Sequence, residues 1–124
     1  MGAAKLDINI EQGATFSMSC TMKDSAGATV DLTGWTFSGK IKETLASSSS
    51  VASFTITLAN QITDQGEFTI TLSAATTAAI PVNVRPNQDR ILTQYFYDIE
   101  ATKPDTTIDR IFEGKAFVSP EVTK

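Results

Sequence analysis

Apolar residues recur at every second position through most of the chain, and this alternation constrains the fold more than any other feature. A period of two is typical of β-strands that lay one face on a core. About seven short strands separated by turn residues predict an all-β, immunoglobulin-like antiparallel β-sandwich, with an open barrel as the alternative. The alternating rows are Leu6, Ile8 and Ile10; Phe16, Met18, Cys20 and Met22; Trp35, Phe37, Gly39 and Ile41; Phe54, Ile56 and Leu58; Phe68, Ile70 and Leu72; Tyr95, Tyr97, Ile99 and Ala101; and Phe112, Gly114, Ala116 and Val118.

One segment departs from this period. Residues 73–80, SAATTAAI, are rich in alanine; Ser73 stands where a helix cap is favoured, and Pro81 follows where a helix ends. We therefore expect one short helical crossover between the two sheets. The residues expected to share the core are Phe16, Trp35, Phe37, Phe54, Ile56, Phe68, Ile70, Tyr97 and Ile99.

Length and composition suit one domain. The 124 residues are 41% apolar and 19% charged, and we expect a single domain over 1–124 with extended flanks at 1–7 and 119–124. A formal net charge of −4 predicts that the chain binds no nucleic acid, because phosphate backbones attract basic surfaces. No apolar run approaches the roughly 20 residues that span a bilayer, so we expect no membrane contact. The single cysteine forms no disulfide within the chain, which agrees with assembly in a reducing cytoplasm.

The sequence offers little for catalysis. It has no histidine, the commonest general base and metal ligand. Asp98 and Glu100 lie on one face of a predicted strand, about 7 Å apart, which a two-carboxylate glycosidase could use; a solvated strand face is the favoured interpretation. Cys20 is in register with apolar neighbours and is interpreted as a core residue, and residues 64–67, DQGE, favour a turn over a calcium loop. We expect no catalytic residue, metal, cofactor or small-molecule substrate.

The stretch DLTGWTF, residues 31–37, contains the only tryptophan. We expect Leu32 to plug the end of the core, Asp31 to accept backbone N–H groups, and Gly34 to take a positive φ. Trp35 then begins the next strand and points inward as a packing anchor. The alternative is an exposed platform on which a sugar stacks.

The sequence also resembles a known family. The order LDINIEQGATFSMSCTMKDSAGATVDLTGWTFSGKIK is similar to the immunoglobulin-like domain of virion proteins of tailed bacteriophages, notably the N-terminal domain of baseplate upper proteins. That family has a short strand followed by xQGxTF, a long strand, a DxxGxPVDLTGxT turn and another strand. Segments 73–80, 95–100 and 112–123 match as well, whereas residues 81–90 replace the usual tight turn. The residues that match the first motifs are Gln12, Gly13, Thr15, Phe16, Asp24, Gly27, Val30, Asp31, Leu32, Thr33, Gly34 and Thr36.

The resemblance implies a non-enzymatic structural protein of a tailed bacteriophage virion, assembled in the host bacterial cytoplasm. We expect it to act at a tail, baseplate or fibre junction, through contacts with other phage structural proteins and with copies of itself. The alternatives are a capsid decoration protein and a surface module that binds a glycan or receptor. The residues expected to contact a partner lie in loops 45–52 and 81–90: Ser48, Ser49, Arg85 and Arg90.

Overall fold

The computed structural model describes residues 3–82 and 92–123, which form two β-sheets and one short helix. The larger sheet has six strands in the order β1-β9-β8-β4-β5, with β2 also paired to β9. The smaller sheet has the order β3-β7-β6. The elements in chain order are β1 (Ala4–Lys5), β2 (Ile8–Glu11), β3 (Phe16–Thr21), β4 (Thr36–Lys42), β5 (Ala52–Ser53), β6 (Thr55–Leu58), β7 (Glu67–Leu72), α1 (Ala74–Ala78), β8 (Thr93–Thr102) and β9 (Ile108–Ser119).

Together these two sheets make a β-sandwich. The order β3-β7-β6 is similar to that of strands B, E and D in immunoglobulin-like sandwiches, and β9-β8-β4-β5 is similar to G, F, C and C′. Strands β1 and β2 run parallel to β9. The pairs β4–β5, β6–β7 and β8–β9, each made of consecutive strands, are antiparallel. The prediction of an all-β sandwich is therefore confirmed.

The predicted core is confirmed as well. Of the nine residues expected there, five belong to one buried apolar cluster and four pack against it. The best buried of them include Ile70 and Ile99, each with no exposed surface. Phe16, Trp35 and Phe37 are half-buried at its margin, where Phe37 stacks on Phe68 with ring centroids 4.8 Å apart.

Leu6 differs from its predicted place in the first apolar row. Its side chain is 39% exposed, although Ile8 and Ile10 in the same row are buried. Leu6 follows the end of β1, and between β1 and β2 the Asp7 carboxylate accepts the Lys115 N–H at 3.0 Å. The burial of alternate residues begins only at Ile8, where β2 starts.

The helical crossover forms as predicted. Helix α1 covers Ala74–Ala78, connects β7 of the smaller sheet to β8 of the larger one, and begins at Ser73, whose hydroxyl accepts the Thr76 N–H at 3.2 Å. The described part of the chain contains no helix with the length and apolar character needed to cross a membrane.

The DLTG turn takes the conformation that the sequence predicts. Leu32 is fully buried, the Asp31 carboxylate accepts the Thr33 N–H at 3.0 Å, and Trp35 N–H donates to the Leu32 carbonyl at 3.0 Å. Gly34 has a φ of +83°, which side-chain-bearing residues rarely adopt. The turn thus seats Leu32 as a plug and starts β4.

A valine at Gly34 should destabilise the fold by about 1 to 3 kcal/mol, since it adds backbone strain and crowds the Pro104 ring, 3.2 Å from an added Cβ. Gly27 is the matched control, because its φ of +86° is similar and an added Cβ there meets no atom within 4 Å. Urea unfolding of Gly34→Val and Gly27→Val separates strain from crowding. Equal losses of stability would show that Pro104 contributes nothing.

Candidate interaction surfaces

The loop between β4 and β5 carries two of the residues expected to contact a partner. Ser48 and Ser49 are exposed there, beside Leu45, whose side chain is 81% exposed. Within the loop, the Thr44 and Ser47 hydroxyls are 2.9 Å apart. The other two expected residues, Arg85 and Arg90, lie outside the described residues. The structure therefore places the two serines on an accessible loop.

Asp98 and Glu100 lie on the outer face of the larger sheet, as expected from their register. Asp98 is directly opposite Glu113 on β9, an arrangement of like charges that would destabilise the sheet if left uncompensated. Arg110 compensates it by bridging both carboxylates, with N–O distances of 3.4 Å to Asp98 and 3.6 Å to Glu113. Lys5 adds a third contact, 3.4 Å from Glu113. These carboxylates form an ion-pair network across the strands, which favours the interpretation of a solvated strand face.

The same face contains a groove with a volume of about 790 Å³. Its floor is the outer surface of β4, β8 and β9, and Leu45 and Phe96 give it an apolar component. Charges of both signs line it, so its field suits neither a polyanion nor a polycation. Contacts between proteins combine apolar and polar side chains, and this groove offers both. The charged lining residues are Lys5, Asp7, Lys40, Lys42, Asp98, Glu100, Arg110, Glu113 and Lys115.

Cys20 is half-buried and packs against the core cluster. Burial raises the pKa of its thiol, which keeps the sulfur protonated at neutral pH. A protonated thiol is a poor nucleophile, so this environment suits the packing role expected from the sequence.

Trp35 is half-buried at the end of the sandwich where β4 begins. Its ring stacks on Phe37, with an interplanar angle of 21° and centroids 6.3 Å apart. The Lys103 ammonium lies 5.8 Å from the ring centroid, within cation–π range. Protein contacts therefore use much of the ring surface on which a sugar would stack, which favours the packing role.

Two glutamines position the turns, and the alternation of apolar residues does not predict this role. Gln61 accepts the N–H groups of Leu32 at 3.0 Å and Gly66 at 2.8 Å, which joins the DLTG turn to the β6–β7 connection. Gln12 donates to the Ile80 carbonyl at 2.9 Å and accepts the Glu121 N–H at 3.0 Å. Gln12 belongs to the QG motif that carries the family resemblance, whereas no motif indicates Gln61. Every buried side-chain N or O atom among the described residues has a hydrogen-bond partner.

The Tyr97 phenol should make stability depend on pH in the alkaline range. Burial, and secondly the nearby Asp7 carboxylate, raises its pKa from the ordinary value of 10.0 to about 12. Folding thus favours the neutral phenol, which donates to the Leu6 carbonyl at 2.6 Å. This contribution is complete below a pH of about 10 and is lost as the pH rises towards about 12.

Urea unfolding of wild type and Tyr97→Phe across this range checks the expectation. The free-energy difference between them should shrink as the pH rises, because the variant has no phenol to ionise. Tyr95→Phe should show a trend in the same direction, since burial raises the pKa of Tyr95 as well, and its hydroxyl donates to the Pro81 carbonyl. A difference that stays constant would contradict the assignment.

The stretch DQGE serves as a turn. Glu67 N–H donates to the Asp64 carbonyl at 3.1 Å, and β7 begins at Glu67, as the sequence predicts. Across residues 3–82 and 92–123, no three histidine, cysteine, aspartate or glutamate side chains are placed to hold a metal ion.

A comparison with protein-family models finds no match for the chain, and a comparison with curated proteins finds none either.

Proposed function

We propose that this protein is a non-enzymatic structural component of a tailed bacteriophage virion, placed at a tail, baseplate or fibre junction. The observation that carries the proposal is the role of the residues that resemble the phage family. Gln12 and Gly13 join β2 to α1 and the C-terminal segment, and the DLTG turn seats the core plug. These motif residues stabilise the fold, which supports a structural function for the protein.

The mode of action in this proposal is protein–protein contact. The mixed-charge groove on the larger sheet and the exposed β4–β5 loop supply surfaces of the kind that partners use. A domain of this size commits only about 800 Å² to one standard partner. Many copies arranged symmetrically on a particle make such contacts act together. The protein uses no cofactor in this role and acts in the virion after assembly in the host cytoplasm.

Cross-linking mass spectrometry on intact virions tests the proposal. Lysine-reactive reagents should link Lys40, Lys42 or Lys115, which line the groove, to tail or baseplate proteins. Lys23 is the internal control, because it is exposed in the β3–β4 connection and does not line the groove. Links mainly to the major capsid protein would assign the decoration role instead. Absence of the protein from purified virions would refute both.

A charge reversal sharpens the test. Lys115→Glu should reduce incorporation of the protein into particles several-fold, whereas Lys23→Glu should leave incorporation unchanged. Both side chains are exposed, so neither change is expected to alter folding by more than about 0.5 kcal/mol. Binding of the purified, folded protein to host surface polysaccharide would support the receptor-binding alternative.

A further inference from the structure

Strand β3 is an edge strand with unused backbone groups. It pairs only with β7, and Met22 N–H continues that ladder by donating to the Gly66 carbonyl at 2.7 Å. Because backbone groups alternate along an antiparallel ladder, the N–H and C=O groups of Ser17, Ser19 and Thr21 point away from β7. Within the described residues these groups make no hydrogen bond.

The other edges carry features that discourage pairing. Strand β5 has two residues, and the edge formed by β1 and β2 carries Lys5, Asp7 and Glu11 and is divided into two short strands. Strand β6 has four residues. In contrast, β3 has six residues, FSMSCT, with no charge, no proline and no break in its register with β7. It is the longest unprotected edge among the described strands.

The inward row of β3 is incompletely covered. Phe16, Met18, Cys20 and Met22 pack against the core, yet each is only half-buried, whereas the facing residues of β7 are buried. An additional strand beside β3 would cover the exposed part of this row. In immunoglobulin-like sandwiches the place beside strand B is taken by strand A, whose counterparts here, β1 and β2, pair with β9 instead.

We propose that a second copy of this chain occupies this edge, with the two β3 strands antiparallel and centred on Ser19. The dimer extends the proposed function and rests on it, because that function requires the chain to act through contacts between copies. In this register Ser19 faces Ser19 of the second copy, Ser17 faces Thr21, and Met18 faces Cys20. Hydroxyls thus meet hydroxyls on the outer face, and sulfur-containing side chains meet on the inner one.

Charge permits this pairing. The outer face of the smaller sheet is composed of serine and threonine, and Glu67 is the only charged residue on its three strands. Glu67 is opposite Thr21, which in the dimer would be beside Ser17 of the second copy, so no like charges are brought together. The result would be a continuous sheet of twice three strands.

Sedimentation of the purified protein tests the dimer. The mass of wild type should rise from that of one chain towards twice that value as its concentration increases. Ser19→Pro removes an N–H that points away from β7, so it should weaken the dimer at least about tenfold while sparing the β3–β7 ladder. Ser19→Ala is the control that keeps the N–H and should dimerise like wild type. A monomer at every concentration, or a dimer unaffected by the proline, would overturn the proposal.

A disulfide trap tests the register and remains informative if the proline variant does not fold. Met18 and Cys20 of the second copy would form a non-hydrogen-bonded pair, whose Cβ atoms approach closely. Met18→Cys should therefore give a disulfide-linked dimer on mild oxidation. Met18→Cys/Cys20→Ser keeps one thiol per chain and should remain unlinked. Failure of the first variant to link, or equal linking of both, would refute this register.

These experiments use purified protein, so their result is independent of whether the protein is found in virions. A dimer in solution from a protein absent from virions would refute the proposed function and support the interface. A protein that is found at the tail but is a monomer in solution would support the proposed function and refute the interface.

Discussion

Replacing Gly114 with alanine should detach the N-terminal strand from the larger sheet. Gly114 lies opposite Tyr97, and an added Cβ would sit 2.2 Å from the Leu6 carbonyl oxygen and 2.8 Å from its carbon. Backbone atoms cannot yield as a flexible side chain does. Glycine in a strand marks such a close approach of another backbone.

The expected loss of stability is about 3 to 5 kcal/mol, because β2 would no longer bury Ile8 and Ile10, and each buried isoleucine contributes about 1.5 to 3 kcal/mol. Lys115→Ala, on the adjacent exposed residue of β9, is the control and should change stability by less than about 0.5 kcal/mol. Urea unfolding measures the loss, and hydrogen exchange at Ile8–Glu11 should become fast in the glycine variant. Retained protection there would contradict this account.

Thr77→Val should cost about 2 to 4 kcal/mol, although valine has nearly the same shape. Thr77 is fully buried; its hydroxyl accepts the Gly13 N–H at 3.0 Å and donates to the Ala14 carbonyl at 2.8 Å. Valine would leave both of these half-buried backbone groups without this partner, and each unpaired group costs about 1 to 3 kcal/mol. The loss should weaken the connection between α1 and the β2–β3 turn.

Thr77→Ser is the matched control, because it keeps the hydroxyl and removes one methyl group, at a cost of about 1 kcal/mol. Denaturant unfolding of both variants measures the difference. A valine variant as stable as the serine variant would show that water or a shifted backbone replaces the hydroxyl.

Local patterns account for the part of the fold that the sequence predicts well. The alternating rows identify the main strands and the side each buries, because burial acts on each side chain through its own apolar surface. The cap at Ser73 and the positive φ at Gly34 were predictable for a similar reason, since each depends on a residue and its immediate neighbours.

The last strand shows where alternation stops being sufficient. Ile99 pairs with Phe112, but Glu100 pairs with Arg110, so β9 has a bulge that leaves Ile111 as an extra residue. Ile111 and Phe112 both pack against the core, although the period of two assigns only Phe112 to it. A bulge depends on two strands together and leaves no mark in the pattern of one.

Taken by itself, the sequence determined the all-β class, the core and the turn chemistry, because these follow from side-chain polarity at a period of two and from local backbone preference. Only the tertiary structure decided that β1 and β2 join β9 in parallel, that Gln61 joins two turns, and that Arg110 bridges Asp98 and Glu113. Each of these depends on residues distant in the chain, whose pairing is set by the packing of whole sheets. The position of β3 at an edge is also decided by the tertiary structure, because it depends on which strands of the sheet lie beside it.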